Sequence, residues 1–484
     1  MIALTAAEVA GLTGGRLAST DGLDATDATH PTDAADQPTV TGTVVIDSRQ
    51  AVRGSLFVAV RGEGVDGHDY GAAAAAGGAV LALGERMVAG LPTVLVDDSV
   101  VALSRLAAGV RDRLVDVRVV GLTGSAGKTG SKDLIAALLE QLGPTVAPPG
   151  NFNNELGLPL TLLRADAGTR FLVLEMGARG MGQITALAQV ARPDVGVVLN
   201  VGSAHLGEFG SREMIAEAKG ELVEALPATG IAVLNADDPL VAAMRSRTRA
   251  RVVTFGQSPG ADVRAVRVET VDGRSGFVLT STAGSAPVQL GLLGEHQVSN
   301  ALAAAAVALD LGLPLDVVAT TLSAARPRSR WRMEVHERPD GVTVINDAYN
   351  ASPESMRAAL KTLVEVGRGR RTWAVLGEMR ELGADTVAEH DAIGRLAVRL
   401  DVNRLVVVGS GARTMFLGAG LEGSWGNEAM FVDDVAGAVT VLQHELAPGD
   451  VVLVKASRAA GLERVAEAIL SSPDDRVGDA GVAR

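Results

Sequence analysis

Cysteine is missing from all 484 residues, which excludes disulfides, thiolate metal ligands and a thiol nucleophile, and fits a reducing compartment. Also missing is an apolar run long enough to cross a bilayer: the longest small-apolar stretch, Gly71 to Gly84, falls short of the roughly 20 residues a spanning helix needs. The opening MIALTAAEVAGLTGG has no basic n-region, so a cytoplasmic protein without a membrane span is expected. Excess positive charge is missing too. A net charge of -13 argues against a nucleic-acid partner, because neutralising phosphates along a duplex takes a broad basic face. Lysine is scarce: of 44 basic residues only five are lysine, Lys128, Lys132, Lys219, Lys361 and Lys455. In a chain that otherwise uses arginine, each is a candidate for a task that arginine cannot perform.

What is present suits several packed cores, with 47% hydrophobic and 21% charged residues. The length predicts about three domains. Residues 19 to 40 form an acidic Ala/Thr/Asp stretch without apolar period, expected to be a surface loop. Short strands at VVIDSR and SLFVAVRG, then TVLVDD at Thr93 to Asp98, predict a small N-terminal α/β domain over 1–112. A connecting amphipathic helix is expected from Leu103 to Leu114. Buried strands at Val117–Leu122, Phe171–Glu175, Val195–Asn200 and Ile231–Asn235 alternate with helices, which predicts a parallel-sheet ATPase domain over 113–326. Residues 262 to 293 alternate like an antiparallel appendage, and Val298 to Leu311 reads as an alanine-rich helix. After Pro327 the strand-helix-strand pattern restarts at VTVIN, which predicts a doubly wound, Rossmann-like third domain over 327–484.

The strand ending near Leu122 runs into GLTGSAGKTG, from Gly121 to Gly130. Backbone amides of Gly124, Ser125, Ala126 and Gly127 can wrap a polyphosphate at a helix N-terminus, Lys128 can reach β/γ oxygens, and Thr129 can ligate magnesium. The strict pattern would place glycine where Leu122 stands. Neither an N-K-x-D guanine signature nor an LSGGQ signature occurs, which counts against GTPase and transporter readings. Glu175 closes a strand at the sheet's carboxyl edge, where it could hold Mg²⁺ with Thr129 or simply face solvent. His205 follows the strand ending at Asn200, and a lone histidine there is more often structural. Lys219, in EAKGE, reads by default as a solvated lysine among glutamates.

Taken together and in order, GLTGSAGKT, GNFNNELGLPLTLL, EMGA, AHLGEFGS, AKGE and NADDP resemble the Mur ligase family. GEHQVSNALAAAA, RSRW, NDAYNASPESM, VLGEMRELG and VKASRAAGLE extend the resemblance over nearly the whole chain. NFNNE, AYNASP and VKASR are similar to the family member that adds D-alanyl-D-alanine to UDP-N-acetylmuramoyl-tripeptide. The D-N-P-R segment of the diaminopimelate- or lysine-adding sister is absent.

The resemblance implies ATP-driven amide formation through an acyl phosphate, by a protein expected to be a monomer. It further implies two Mg²⁺ ions, with Thr129, Glu175, His205 and Lys219 as ligands, Lys219 acting as a carbamate (N6-carboxylysine). Lys128, Lys219, His205 and Glu175 would be catalytic. Asn300 would read adenine, and Arg330 and Asp347 would grip the nucleotide. Ser48 and Arg49 would lie near the UDP-sugar, although Arg49 alone reads equally as a surface cation. Asn151, Asn153, Asn154, Tyr349 and Asn350 would bind substrate, and Lys455 with Ser457 would face the dipeptide. Gly130 departs from the family, whose members usually carry a hydroxyl residue there. The alternatives are a sister amide ligase, either tripeptide-forming or folylpolyglutamate synthetase, and a non-catalytic nucleotide-binding relative.

Overall fold

The computed structural model describes residues 1–18, 38–62, 64–202, 206–423, 426 and 428–471. Most of the acidic 19–40 stretch, and His205, lie outside the described residues.

The first unit is a five-stranded sheet in the spatial order Arg16–Ala18, Thr93–Leu95, Ala79–Gly84, Ser55–Val58, Val44–Val45, parallel except at the Arg16–Ala18 edge. The helix that leaves it spans Ser99–Arg113, starting earlier than its apolar period indicates. The reason is its N-cap: Asp98 accepts hydrogen bonds from the amides of Val100 and Val101 at 2.8 and 2.9 Å, which fixes the first turn before the amphipathic stripe begins.

The central unit is a nine-stranded sheet. Its strand Arg118–Thr123 lies between Phe171–Glu175 and Val195–Val198 and is parallel to both. Parallel pairing with both faces covered explains why these strands read as unbroken apolar runs. The chain leaves Arg118–Thr123 with neighbours on either side, so a crevice opens at the carboxyl ends. The far edge, Val263–Val271, Arg274–Ser281 and Gly284–Leu293, is an antiparallel meander, as its alternation predicts. The helix His296–Asp310 is buried almost all round, with Ala301, Ala303, Ala304, Ala305, Ala306 and Ala308 in the core. Small side chains let it sit close beneath the helix Lys128–Leu139, which brings Asn300 under the glycine loop.

The third unit is a six-stranded sheet, ordered Glu334–Glu337, Thr343–Asn346, Val451–Lys455, Thr372–Leu376, Arg404–Val408, Ala429–Val432. All but the first pair in parallel, with helices on both faces, which is the doubly wound arrangement. The whole is the α/β, three-unit architecture read from the sequence. Among the described residues, no helix is long and apolar enough to cross a membrane.

Candidate active site

The glycine loop is bent back by a residue that no motif flagged. Asn200, just past the strand Val195–Val198, accepts from Ser125 N through its carbonyl at 3.1 Å and from Ala126 N through Oδ1 at 2.8 Å. Its Nδ2 donates to the Ala126 carbonyl at 3.1 Å. The amides of Ser125 and Ala126, expected to wrap phosphate, are therefore committed to Asn200. The first-turn amides of Lys128–Leu139 have no intrahelical acceptor and remain available to an anion. Gly127 enters that turn with φ 79°, and a Cβ there would come within 2.4 Å of Asn300 Oδ1, so glycine is required on two grounds.

Lys128 Nζ donates to the Gly124 carbonyl at 2.7 Å, lying across the loop it serves. Burial lowers its pKa, and Glu175 opposes that shift. Glu175 is 1% exposed. Its Oε2 accepts from Thr129 Oγ1 at 3.1 Å and its Oε1 from Asn153 Nδ2 at 2.8 Å. The Asn153 carbonyl accepts from Gly177 N at 2.8 Å, which fastens the NFNNE segment to the end of the Glu175 strand. A buried carboxylate beside a hydroxyl at the mouth of a phosphate loop is a hard-oxygen set of the kind Mg²⁺ takes. Among the described residues no three His, Cys, Asp or Glu side chains cluster as a ready metal site.

Lys219 is not a solvated lysine among glutamates. It is 4% exposed, and burial first, then neighbouring Lys128, pushes its pKa well below the ordinary amine value. The glutamates around it are engaged away from it. Glu221 accepts from Gly182 N and Thr185 N at 2.6 and 2.9 Å, while Glu217 and Glu224 pair with Arg247. Lys132, another of the rare lysines, is 1% exposed and donates to the carbonyls of Pro148 and Gly150 at 2.7 and 3.1 Å, holding the approach to Asn151 against the loop helix.

From the third unit the residue that touches the loop itself is Arg332. Arg332 donates to Thr129 Oγ1 at 3.3 Å and lies 4.2 Å above the Tyr349 ring, whose hydroxyl donates to Asn151 Oδ1. Arg330 lines the cavity that Thr129, Lys132 and Tyr349 share, but at 74% exposure its ion-pair partner is Glu467, 3.7 Å away. Arginines alternate at 326, 328, 330 and 332, so the motif alone could not fix the register. Asn300 is a prop beneath the loop. It accepts from Ser131 Oγ at 3.2 Å and donates to Gln297 Oε1 at 3.0 Å, and Gln297 with Gly130 lines a cavity of about 340 Å³.

Asp347 and Lys455 are engaged with each other. Lys455 Nζ donates to Asp347 Oδ2 at 2.6 Å and to the Asn350 carbonyl at 2.8 Å, and Asp347 Oδ1 accepts from Met333 N at 3.0 Å. At 2% exposure, Lys455 does not face an incoming dipeptide, and Asp347 presents no free carboxylate to a nucleotide. Ser457 Oγ accepts from Arg380 N at 3.0 Å. Asn154 Oδ1 accepts from Gly157 N at 2.9 Å, starting the helix Gly157–Leu162. Ser48 and Arg49 open a helical turn in the first unit, where Arg49 is exposed and holds Asp47 down to about 2.

A phosphate loop on a parallel sheet, a buried carboxylate at its mouth and an arginine supplied from a separate Rossmann-like unit define an ATP-dependent ligase. Family models match in sequence order: Mur ligase family, catalytic domain, over 41–110; Mur ligase middle domain over 122–308; and Mur ligase, glutamate ligase domain, over 331–458. The chain belongs to the Mur ligase family.

It is 50% identical to the UDP-N-acetylmuramoyl-tripeptide--D-alanyl-D-alanine ligase of Mycobacterium tuberculosis, covering 99% of both chains. To the Escherichia coli enzyme of the same name it is 37% identical, over 88% of this chain and 93% of that one. The crystal structure of MurF from Acinetobacter baumannii superimposes with a TM-score of 0.83 at 30% identity, covering 97% of this chain and 99% of that one. The MurF ligase of Thermotoga maritima in complex with ADP gives 0.76 at 32%, covering 90% and 99%.

Proposed function

We propose that this chain joins D-alanyl-D-alanine to UDP-N-acetylmuramoyl-tripeptide, yielding the pentapeptide, ADP and phosphate, as a cytoplasmic monomer. The observation that carries this is the convergence of Lys128, Thr129, Glu175 and Lys219 at one loop, with Arg332 reaching in from the third unit. The shared name of the relatives in M. tuberculosis and E. coli supports the choice of substrates.

An amide cannot form from a carboxylate at neutral pH without a better leaving group than oxide, and ATP supplies it. The tripeptide carboxylate attacks the γ-phosphorus, ADP leaves, and the dipeptide amine displaces phosphate from the acyl phosphate. Lys128 and the first-turn amides hold the β/γ oxygens, and Arg332 adds charge from the opposite side. The adenine occupies the cavity beside Gly130 that Gln297 also lines, with Asn300 propping Gln297 from behind. Thr129 and Glu175 would hold one Mg²⁺, and Lys219, carbamylated by CO₂, would hold a second together with His205. Bound there, the ions would neutralise phosphate and carboxylate oxygens that otherwise repel. The third unit excludes water from the acyl phosphate.

ADP release measured with D-Ala-D-Ala, D-alanine, L-lysine, diaminopimelate and L-glutamate as acceptors tests the assignment. Turnover is expected with the dipeptide, and faster turnover with a single amino acid would transfer the protein to a sister activity. In the same assay Arg332→Ala should lower kcat/KM for ATP roughly a hundredfold, and Arg330→Ala less than about threefold. The reverse order would show that Arg330 is the nucleotide contact after all.

A further inference from the structure

The acceptor dipeptide is a zwitterion, so its site needs a carboxylate for the ammonium and a cation for the terminal carboxylate. Lys455 cannot be that cation, since Asp347 and the Asn350 carbonyl take its ammonium in a buried position.

The adjacent strand Thr372–Leu376 ends in a loop, Gly377 to Gly383, fastened from two sides. Ser457 N donates to the Glu378 carbonyl at 2.9 Å and Ser457 Oγ accepts from Arg380 N at 3.0 Å. His390 Nε2 accepts from Met379 N at 2.9 Å while its Nδ1 donates to the Thr386 carbonyl at 2.6 Å, a pattern that requires the neutral ring. Met379 is thereby buried, and its neighbours Glu378 and Arg380 face outward, half-buried and exposed. Among the described residues neither side chain forms an ion pair. Gly411 leaves room for the Glu378 carboxylate, since a Cβ there would come within 2.6 Å of Glu378 Cδ.

The same loop faces the central unit's chemistry. Glu381 pairs with Arg179 at 3.1 Å, on the segment that follows Glu175. Gly383 meets Gly207 backbone to backbone, so closely that a Cβ on Gly383 would come within 2.6 Å of Gly207 Cα. The loop that carries Glu378 and Arg380 thus abuts the central unit through its later residues, Glu381 and Gly383.

We propose that Glu378 and Arg380 bracket the acceptor, Glu378 receiving the ammonium and Arg380, with the Ser457 hydroxyl, the terminal carboxylate. Residues two apart along an extended chain are separated by about 7 Å. The charged ends of an extended dipeptide span about the same distance, whereas those of a single amino acid are far closer. The pair therefore selects a dipeptide by length as well as charge. This assignment rests on the ligase reading above.

The test compares D-Ala-D-Ala with its C-terminal amide and with D-alanine, using wild-type enzyme, Arg380→Ala, Arg380→Lys and Glu378→Gln. Wild type should prefer the free dipeptide over its amide. Arg380→Ala should raise KM for the dipeptide roughly tenfold to a hundredfold, erase the preference over the amide and leave KM for ATP and for the UDP-substrate unmoved. Arg380→Lys should restore part of the preference. Glu378→Gln should raise KM for dipeptide and amide alike. If Arg380→Ala still separates acid from amide as wild type does, the bracket is wrong while the ligase reading stands. If wild type releases no ADP with D-Ala-D-Ala, both fall.

Discussion

Lys219→Ala should lose turnover by roughly three orders of magnitude, and millimolar formate or acetate should return part of it. The side chain is buried beside a second lysine, a poor place for a permanent cation. Burial and the Lys128 charge both favour the neutral amine, the form that attacks CO₂. The product is an anionic carbamate whose oxygens suit Mg²⁺ and whose charge Lys128 would then stabilise. Arginine is already protonated and cannot take this modification, so Lys219→Arg should be as inactive as alanine and should not respond to carboxylates. Full activity of Lys219→Arg would sink the carbamate. Circular dichroism and the thermal midpoint of each variant separate loss of chemistry from loss of fold.

Lys128→Ala is expected to have a comparable effect for a different reason. Nothing else on the loop can place a flexible ammonium over the β/γ oxygens, and its contact with the Gly124 carbonyl at 2.7 Å shows the side chain already folded back toward the phosphate side. kcat should fall about a thousandfold, because the stabilised charge grows as the γ-phosphoryl leaves. ADP affinity should fall only about tenfold, since the first-turn amides remain. Calorimetric titration of ADP and single-turnover ADP release measure the two effects separately. A variant with normal kcat and a raised KM for ATP would assign Lys128 to ground-state binding alone.

The elements that were readable in the sequence are those whose local signals agree. Phe171–Glu175, Ile231–Asn235 and Pro353–Val366 begin and end where their apolar runs and caps place them, and Ser352 with Pro353 marks its helix start plainly. The start of Ser99–Arg113 was harder because a cap, not apolar period, sets it. The loop helix and Glu175 were legible because a glycine loop after a strand has few alternative meanings. Asn200 was not, since asparagine after a strand is unremarkable until its amide is seen holding two loop residues. Arg332 gave no signal of its own, because arginines alternate at 326, 328, 330 and 332 and only the fold shows which of them meets Thr129. Lys455 carried a true signal, its rarity, with the wrong destination: the lysine is needed to neutralise Asp347 in a buried position.

The distribution of lysine has a practical consequence for labelling. Lys132, Lys219 and Lys455 are buried and Lys128 is folded onto its own loop, which leaves Lys361, on the outer face of the helix Pro353–Val366, as the lysine exposed to solvent. An amine-reactive dye used sparingly on the folded enzyme would therefore mark the third unit at one side chain, besides the chain terminus. With a second dye on an engineered cysteine in the central unit, of which the natural chain has none to compete, the distance between the units could be followed by energy transfer as ATP and substrate are added.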